Sequence, residues 1–317
     1  MANYYFNNTS TSNTDWNDSN NWWDSPGASG GNVSVPSPGN TGDELYFETN
    51  CDTNIPTDFS YNVIIQTGVT FTISGVTTTL QPGDYFTTVN GTLNVYSDFD
   101  GSNVSVNNIC NINAVVNFAP GTGTLSSGST INVLGGTLFL YNYNTNFSTI
   151  NVTGTIVYMF CTIVSAPSPV SNATISIAGD SNISANITIN SGVNLTITSS
   201  TISTGYVVTN NSAASINGVS GFGSFVNNNI CTITSNGLSN TTFTNNGTCT
   251  VSSGGIFKPT IFNNNGTINI NGDLSMNSSS VYTNNGTFNF GSLYSTKFKG
   301  RIFPQVPSSA SWGNALL

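Results

Sequence analysis

Apolar and polar residues alternate in short bursts along most of this chain, and the bursts recur at nearly constant spacing. The four clearest begin Phe225-Val-Asn-Asn-Asn-Ile-Cys-Thr-Ile, Phe243-Thr-Asn-Asn-Gly-Thr-Cys-Thr-Val, Phe262-Asn-Asn-Asn-Gly-Thr-Ile-Asn-Ile and Tyr282-Thr-Asn-Asn-Gly-Thr-Phe-Asn-Phe. Their starts lie 18, 19 and 20 residues apart. In each, a turn rich in Asn leads into a strand whose successive side chains point to opposite faces. A unit this small cannot bury its apolar face alone, so it must stack on its neighbours. The pattern predicts a parallel β-solenoid in which Ile233, Val251, Ile270 and Phe290 form one inward column. Thr and Asn fill outward columns, and Asn at the corners can hydrogen-bond its counterpart one coil away.

The same template (an apolar residue, a short turn, an alternating strand) begins at Ile65, Val89, Val106, Val133, Val152, Ile189 and Val208. Helical periodicity is lacking throughout. At about 19 residues per turn, residues 61–295 read as about 12 coils. Residues 1–60 differ, with Trp16, Trp22 and Trp23 and a Pro- and Gly-rich loop over residues 25–42. Residues 296–317 leave the template too: Lys297, Lys299 and Arg301 alternate with Phe298 and Ile302, and Pro304 and Pro307 then stop strand pairing. The expected division is an N-terminal cap over 1–60, a solenoid over 61–295 and a C-terminal cap or docking tail over 296–317.

The string from Asp15-Trp16 through Asn21-Trp22, then Pro36, Pro38 and Gly42-Asp43-Glu44-Leu45-Tyr46-Phe47, resembles the opening of bacterial autotransporter passengers. It is similar also to other right-handed β-helix surface proteins, viral fibres among them, in company with the Asn-Asn-Gly-Thr repeats. The resemblance implies an all-β, right-handed parallel β-helix whose first coil is capped by this segment, and it implies no activity. Physically, the Trp side chains would cover the open end of the apolar core.

Composition sharpens this picture. Charged residues make up only 5% of the 317, against about 25% in ordinary soluble proteins. Val, Ile, Leu, Phe and Tyr recur throughout at strand spacing, which sets the chain apart from disordered sequences. Residues 1–257 hold twelve acids and no Lys or Arg; residues 258–317 hold Lys258, Lys297, Lys299 and Arg301 beside Asp273 alone. These charges of −12 and +3 give the net −9. An acidic chain without a basic patch over most of its length is a poor nucleic-acid partner. No window is apolar enough to insert in a membrane as a helix.

The five cysteines are scattered, and Cys110, Cys231 and Cys249 each share a strand face with an apolar residue two positions on, so they read as buried thiols. With no His in the chain, neither an ordinary zinc site nor a His-activated nucleophile is available. Polysaccharide-cleaving β-helices need paired carboxylates, yet beyond Asp100 the only acids are Asp180 and Asp273. No catalytic residue and no cofactor are therefore expected.

Asp98 and Asp100 with Asn103, around Gly101, are the one candidate cation site, and its oxygens suit calcium. Trp22 and Trp23 are candidates for stacking on carbohydrate. Lys297, Phe298, Lys299, Arg301, Ile302 and Trp312 are candidates for docking on a partner. A surface-type chain that opens without an export signal suggests a virion component. The expected function is a structural protein of a virion surface (decoration, fibre or spike), meeting copies of itself, other capsid proteins or host glycans. The alternatives are an extracellular cell-surface adhesin that binds carbohydrate and a polysaccharide-degrading tailspike.

Overall fold

The computed structural model describes residues 2–36, 43–53, 62–74, 78–79, 87–102, 104–119, 124–145, 149–169, 172–235, 237–276, 280–291 and 297–298. They form a parallel β-solenoid of about 11 turns. The chain divides into two compact units, Met1–Cys161 and Thr162–Leu317.

In each unit the coils stack into three parallel strand series. Two of these join in the second unit, where the long strands Asn194–Ile202 and Ala213–Ser220 run through both. In the first unit, Asn3–Phe6, Glu44–Phe47, Asn62–Ile65, Thr87–Val89 and Val104–Val106 pair in series. A second sheet runs from Cys51–Thr53 through Thr70–Ile73, Thr92–Val95, Ile109–Ile112 and Thr130–Val133 to Thr149–Val152. The third runs from Thr78–Thr79 through Phe99–Ser102, Val115–Ala119 and Thr137–Tyr141 to Thr155–Met159. The first rungs therefore come from inside residues 1–60, and the capping segment is the excursion between Phe6 and Glu44.

In the second unit one sheet passes from Ile187–Ile189 through Val207–Asn210, Ser224–Asn227, Thr242–Asn245 and Ile261–Asn264 to Val281–Asn284. Its neighbour ends with Ala213–Ser220, Ile230–Ile233, Thr248–Val251, Thr267–Ile270 and Thr287–Phe290. The third ends with Leu238–Ser239, Ile256–Lys258, Asp273–Met276 and Lys297–Phe298.

The alternation decides which side chains enter the core. Ile233, Val251, Ile270 and Phe290 pair in register on successive coils, as the aligned strings require. The first three are buried, whereas Phe290 is 36% exposed because it sits on the last described rung. Phe225, Phe243 and Phe262 form a second buried column, with ring centroids 5.9 Å apart at each step. Full burial of each such side chain contributes roughly 1.5–3 kcal/mol. The Gly of each Asn-Asn-Gly-Thr corner has a steric cause. A Cβ on Gly247, Gly266 or Gly286 would collide with the backbone carbonyl of the coil before it.

The template starts are not all equivalent. Ile65, Val89 and Val106 occupy one column, but Val133 and Val152 continue another, below Ile73, Val95 and Ile112. The template thus fits two different corners of the coil. Ile189 is also offset: it pairs with Asn210, and Val208 pairs with Ile187.

Candidate functional site

The polar side chains organise into ladders that run along the coils. In the second unit the first Asn of each corner turns inward. Asn210, Asn227, Asn245 and Asn264 are fully buried. Each donates its Nδ2 to the Oδ1 of the next, ending at Asn284, over 2.8–2.9 Å. The amides also reach backbone carbonyls of the following coil, for example Asn245 to Thr267 at 2.9 Å. The second Asn of the corner turns outward and forms a parallel ladder of opposite sense. Asn285 donates to Asn265, Asn265 to Asn246, Asn246 to Asn228 and Asn228 to Asn211. Sequence reasoning anticipated corner ladders but did not separate the buried one from the exposed one.

In the first unit a ladder lies mid-strand on the outer face, through Asn94, Asn111, Asn132 and Asn151 at 2.7–2.8 Å. All five cysteines are buried, and none is in a disulfide. Burial pushes the Cys110 thiol up to about 12. The hydrogen bond its protonated thiol shares with Cys231, then burial, holds Cys249 well above the usual thiol range.

Among the described residues Asp180 and Asp273 do not meet. Asp180 and Asp273 are both exposed. Five strand steps separate their positions, through the series Asn182–Ile183, Asn194–Ile202, Ala213–Ser220, Leu238–Ser239, Ile256–Lys258 and Asp273–Met276. At about 4.8 Å per step that is roughly 24 Å, well beyond the roughly 5–9.5 Å at which paired carboxylates cleave glycosides. The cap acids mostly accept local hydrogen bonds. Glu44 accepts from the Tyr46 hydroxyl at 2.6 Å, a contact that raises the phenol to about 12. Glu48 accepts from Asn7 Nδ2 and from Gly27 N at 3.0 and 2.8 Å.

Phe99–Ser102 is a strand in register with Val116–Ala119, so Gly101 continues a ladder where a turn was expected. Asp98 Oδ1 accepts from the backbone N of Val115 at 3.2 Å, one coil on. Asn103 lies outside the described residues. Among the described residues no three His, Cys, Asp or Glu side chains gather as metal ligands.

Trp22 is likewise unsuited to a sugar. It is fully buried, its Nε1 donates to the Trp16 carbonyl at 2.8 Å, and its ring packs edge-on against Phe6 and Trp16. Trp23 is partly exposed, with Nε1 held by the Asn7 carbonyl at 3.1 Å. Of the docking candidates, Lys297 and Phe298 form a short strand paired with Ser275 and Met276. Lys299, Arg301, Ile302 and Trp312 lie outside the described residues.

A scan against protein-family models, a search of curated proteins and a search of solved structures each returned no match to this chain.

Proposed function

We propose that this chain is a non-enzymatic structural protein of a virion surface, a solenoid element of a decoration, fibre or spike. The observation that carries the reading is the repetitive outer face. Uncharged Asn, Ser and Thr columns recur coil after coil, held by amide ladders such as Asn94 to Asn151 and Asn211 to Asn285. Ladder columns without charge suit lateral packing against further copies or against capsid neighbours, because the columns themselves do not repel an identical face. The wide separation of Asp180 from Asp273 counts against a tailspike hydrolase. Partly exposed Trp23, with Phe222 at 76% exposure, keeps an adhesin that binds host glycans as the second reading. Mass spectrometry of purified particles tests the proposal against free secreted protein. The chain is expected in the particle fraction at stoichiometric amount. Recovery from the cell envelope or medium alone would favour the adhesin.

A further inference from the structure

Among the described residues the second unit ends on a rung with no strand beyond it. Val281–Asn284 and Thr287–Phe290 pair with the coil before them, and among the described residues no strand occupies their other edges. Exposure of inward-facing apolar residues rises at this rung: Phe290 is 36% exposed where Ile270 below it is 3%, and Tyr282 and Phe288 are partly exposed where their partners Phe262 and Ile268 are buried. Both amide ladders also stop there. Among the described residues the Nδ2 of Asn284 has no acceptor and the Oδ1 of Asn285 has no donor, although Asn264 and Asn265 on the rung before are each bonded on both sides. The rung therefore offers two strand edges, an apolar patch, one amide donor and one amide acceptor.

The chain leaves from this rung, because Lys297–Phe298 pairs with Ser275 and Met276. Residues 299–317 follow directly. They number 19, one coil's worth of chain, and they contain Ile302, Phe303, Trp312, Leu316 and Leu317 but no acid. They carry no Asn-Asn-Gly corner, and Pro304 and Pro307 lack the amide donors of another open rung. The first unit shows how a solenoid edge can be closed. There Trp22–Trp23 pairs antiparallel with Asn3–Phe6, and Trp22 packs on Phe6 and Phe47. A tethered segment also reaches an effective concentration of order millimolar, so it outcompetes a second copy at ordinary protein concentrations.

We propose that residues 299–317 bind the Val281–Phe290 rung as an end cap. Ile302, Phe303 and Trp312 supply its apolar cover, and the cap withholds the open edge from strands of other molecules. This rests on the solenoid and not on the virion reading. Hydrogen exchange followed by mass spectrometry tests it, on the full chain, on a chain ending at Phe298 and on Trp312→Ala. In the full chain residues 281–291 should exchange nearly as slowly as residues 261–270. Truncation should speed exchange there by at least about tenfold, leave residues 213–251 unchanged and make the protein self-associate. Trp312→Ala should raise exchange at 281–291 alone, which keeps the test decisive if the truncated chain does not fold. Fast exchange at 281–291 in the full chain, or no change in either variant, overturns the proposal. Protection that disappears on dilution also overturns it, by making a second copy the occupant.

Discussion

The two units use the same coil of three strand series but stabilise it differently. The first carries eleven of the thirteen acids and no base, and the second carries all four bases beside two acids, −11 against +2. The first closes its starting edge with an aromatic cluster of Phe6, Trp16, Trp22 and Phe47. The second ends on partly exposed Val281 and Phe290. The first keeps its Asn ladder on the outer face, whereas the second buries one at the corner of the coil. A solenoid can thus draw on amide ladders in either place, but with different stakes. An outer amide that loses its partner turns to water, while a buried one left unpaired costs about 1–3 kcal/mol.

The largest contrast should come from the edges. Trp22→Ala removes a fully buried ring and should cost about 3–5 kcal/mol. Phe290→Ala, at 36% exposure, should cost less than half of that. Denaturant unfolding of both variants checks this, and equal losses would erase the difference between the two edges.

The ladders should separate next. Asn264→Ala removes the ladder acceptor of the fully buried Asn245 and the ladder donor of the partly buried Asn284, for an expected loss of about 1–3 kcal/mol. Asn132→Ala on the outer face should cost no more than about 0.5 kcal/mol. A pair of equal melts would mean that depth of burial does not set the worth of an amide ladder.

At neutral pH the smallest effect is that of ionisation, which appears only in alkali. Cys110 ionises near 9 when unfolded and near 12 in the fold, so the unfolded chain loses its proton first. The associated stability is fully present below pH 9 and declines as pH rises toward 12, by up to about 1.4 kcal/mol per pH unit. Tyr46, raised to about 12 by Glu44, adds a decline of the same sign above pH 10. Cys110→Val should flatten the first part of the slope in a urea titration.

Much of the fold was legible because alternation and corner chemistry agree. In Thr267-Ile268-Asn269-Ile270 the period of two separates core from surface, and the Gly before it marks where coils touch. The inward turn of Asn227 beside the outward Asn228 was not legible, since two identical side chains carry no sign of which faces the core. Val133 was misplaced because coil length varies. The step from Val95 to Ile112 is 17 residues and that from Ile73 to Val95 is 22, so equal spacing cannot tell one corner from another. Asp98 and Asp100 read as a turn because Gly101 follows them, yet the parallel partners at Val116–Ala119 draw the backbone into a strand. The candidate site was least legible, because spacing shows which residues share a face and not which are covered from above, as Trp22 is.

The central claim is that inward and outward positions of each rung differ in kind, and adjacent residues test it most directly. Ile270 is 3% exposed and stacks between Val251 and Phe290. Its neighbour Asn269 faces outward and accepts from Asn289 at 2.9 Å. Denaturant unfolding of Ile270→Asp and Asn269→Asp should show loss of the last coils in the first, a cost of at least about 3 kcal/mol for a buried unpaired charge. The second keeps its acceptor oxygen and should lose no more than about 1 kcal/mol. Equal losses in the two variants would contradict the register on which the whole solenoid rests.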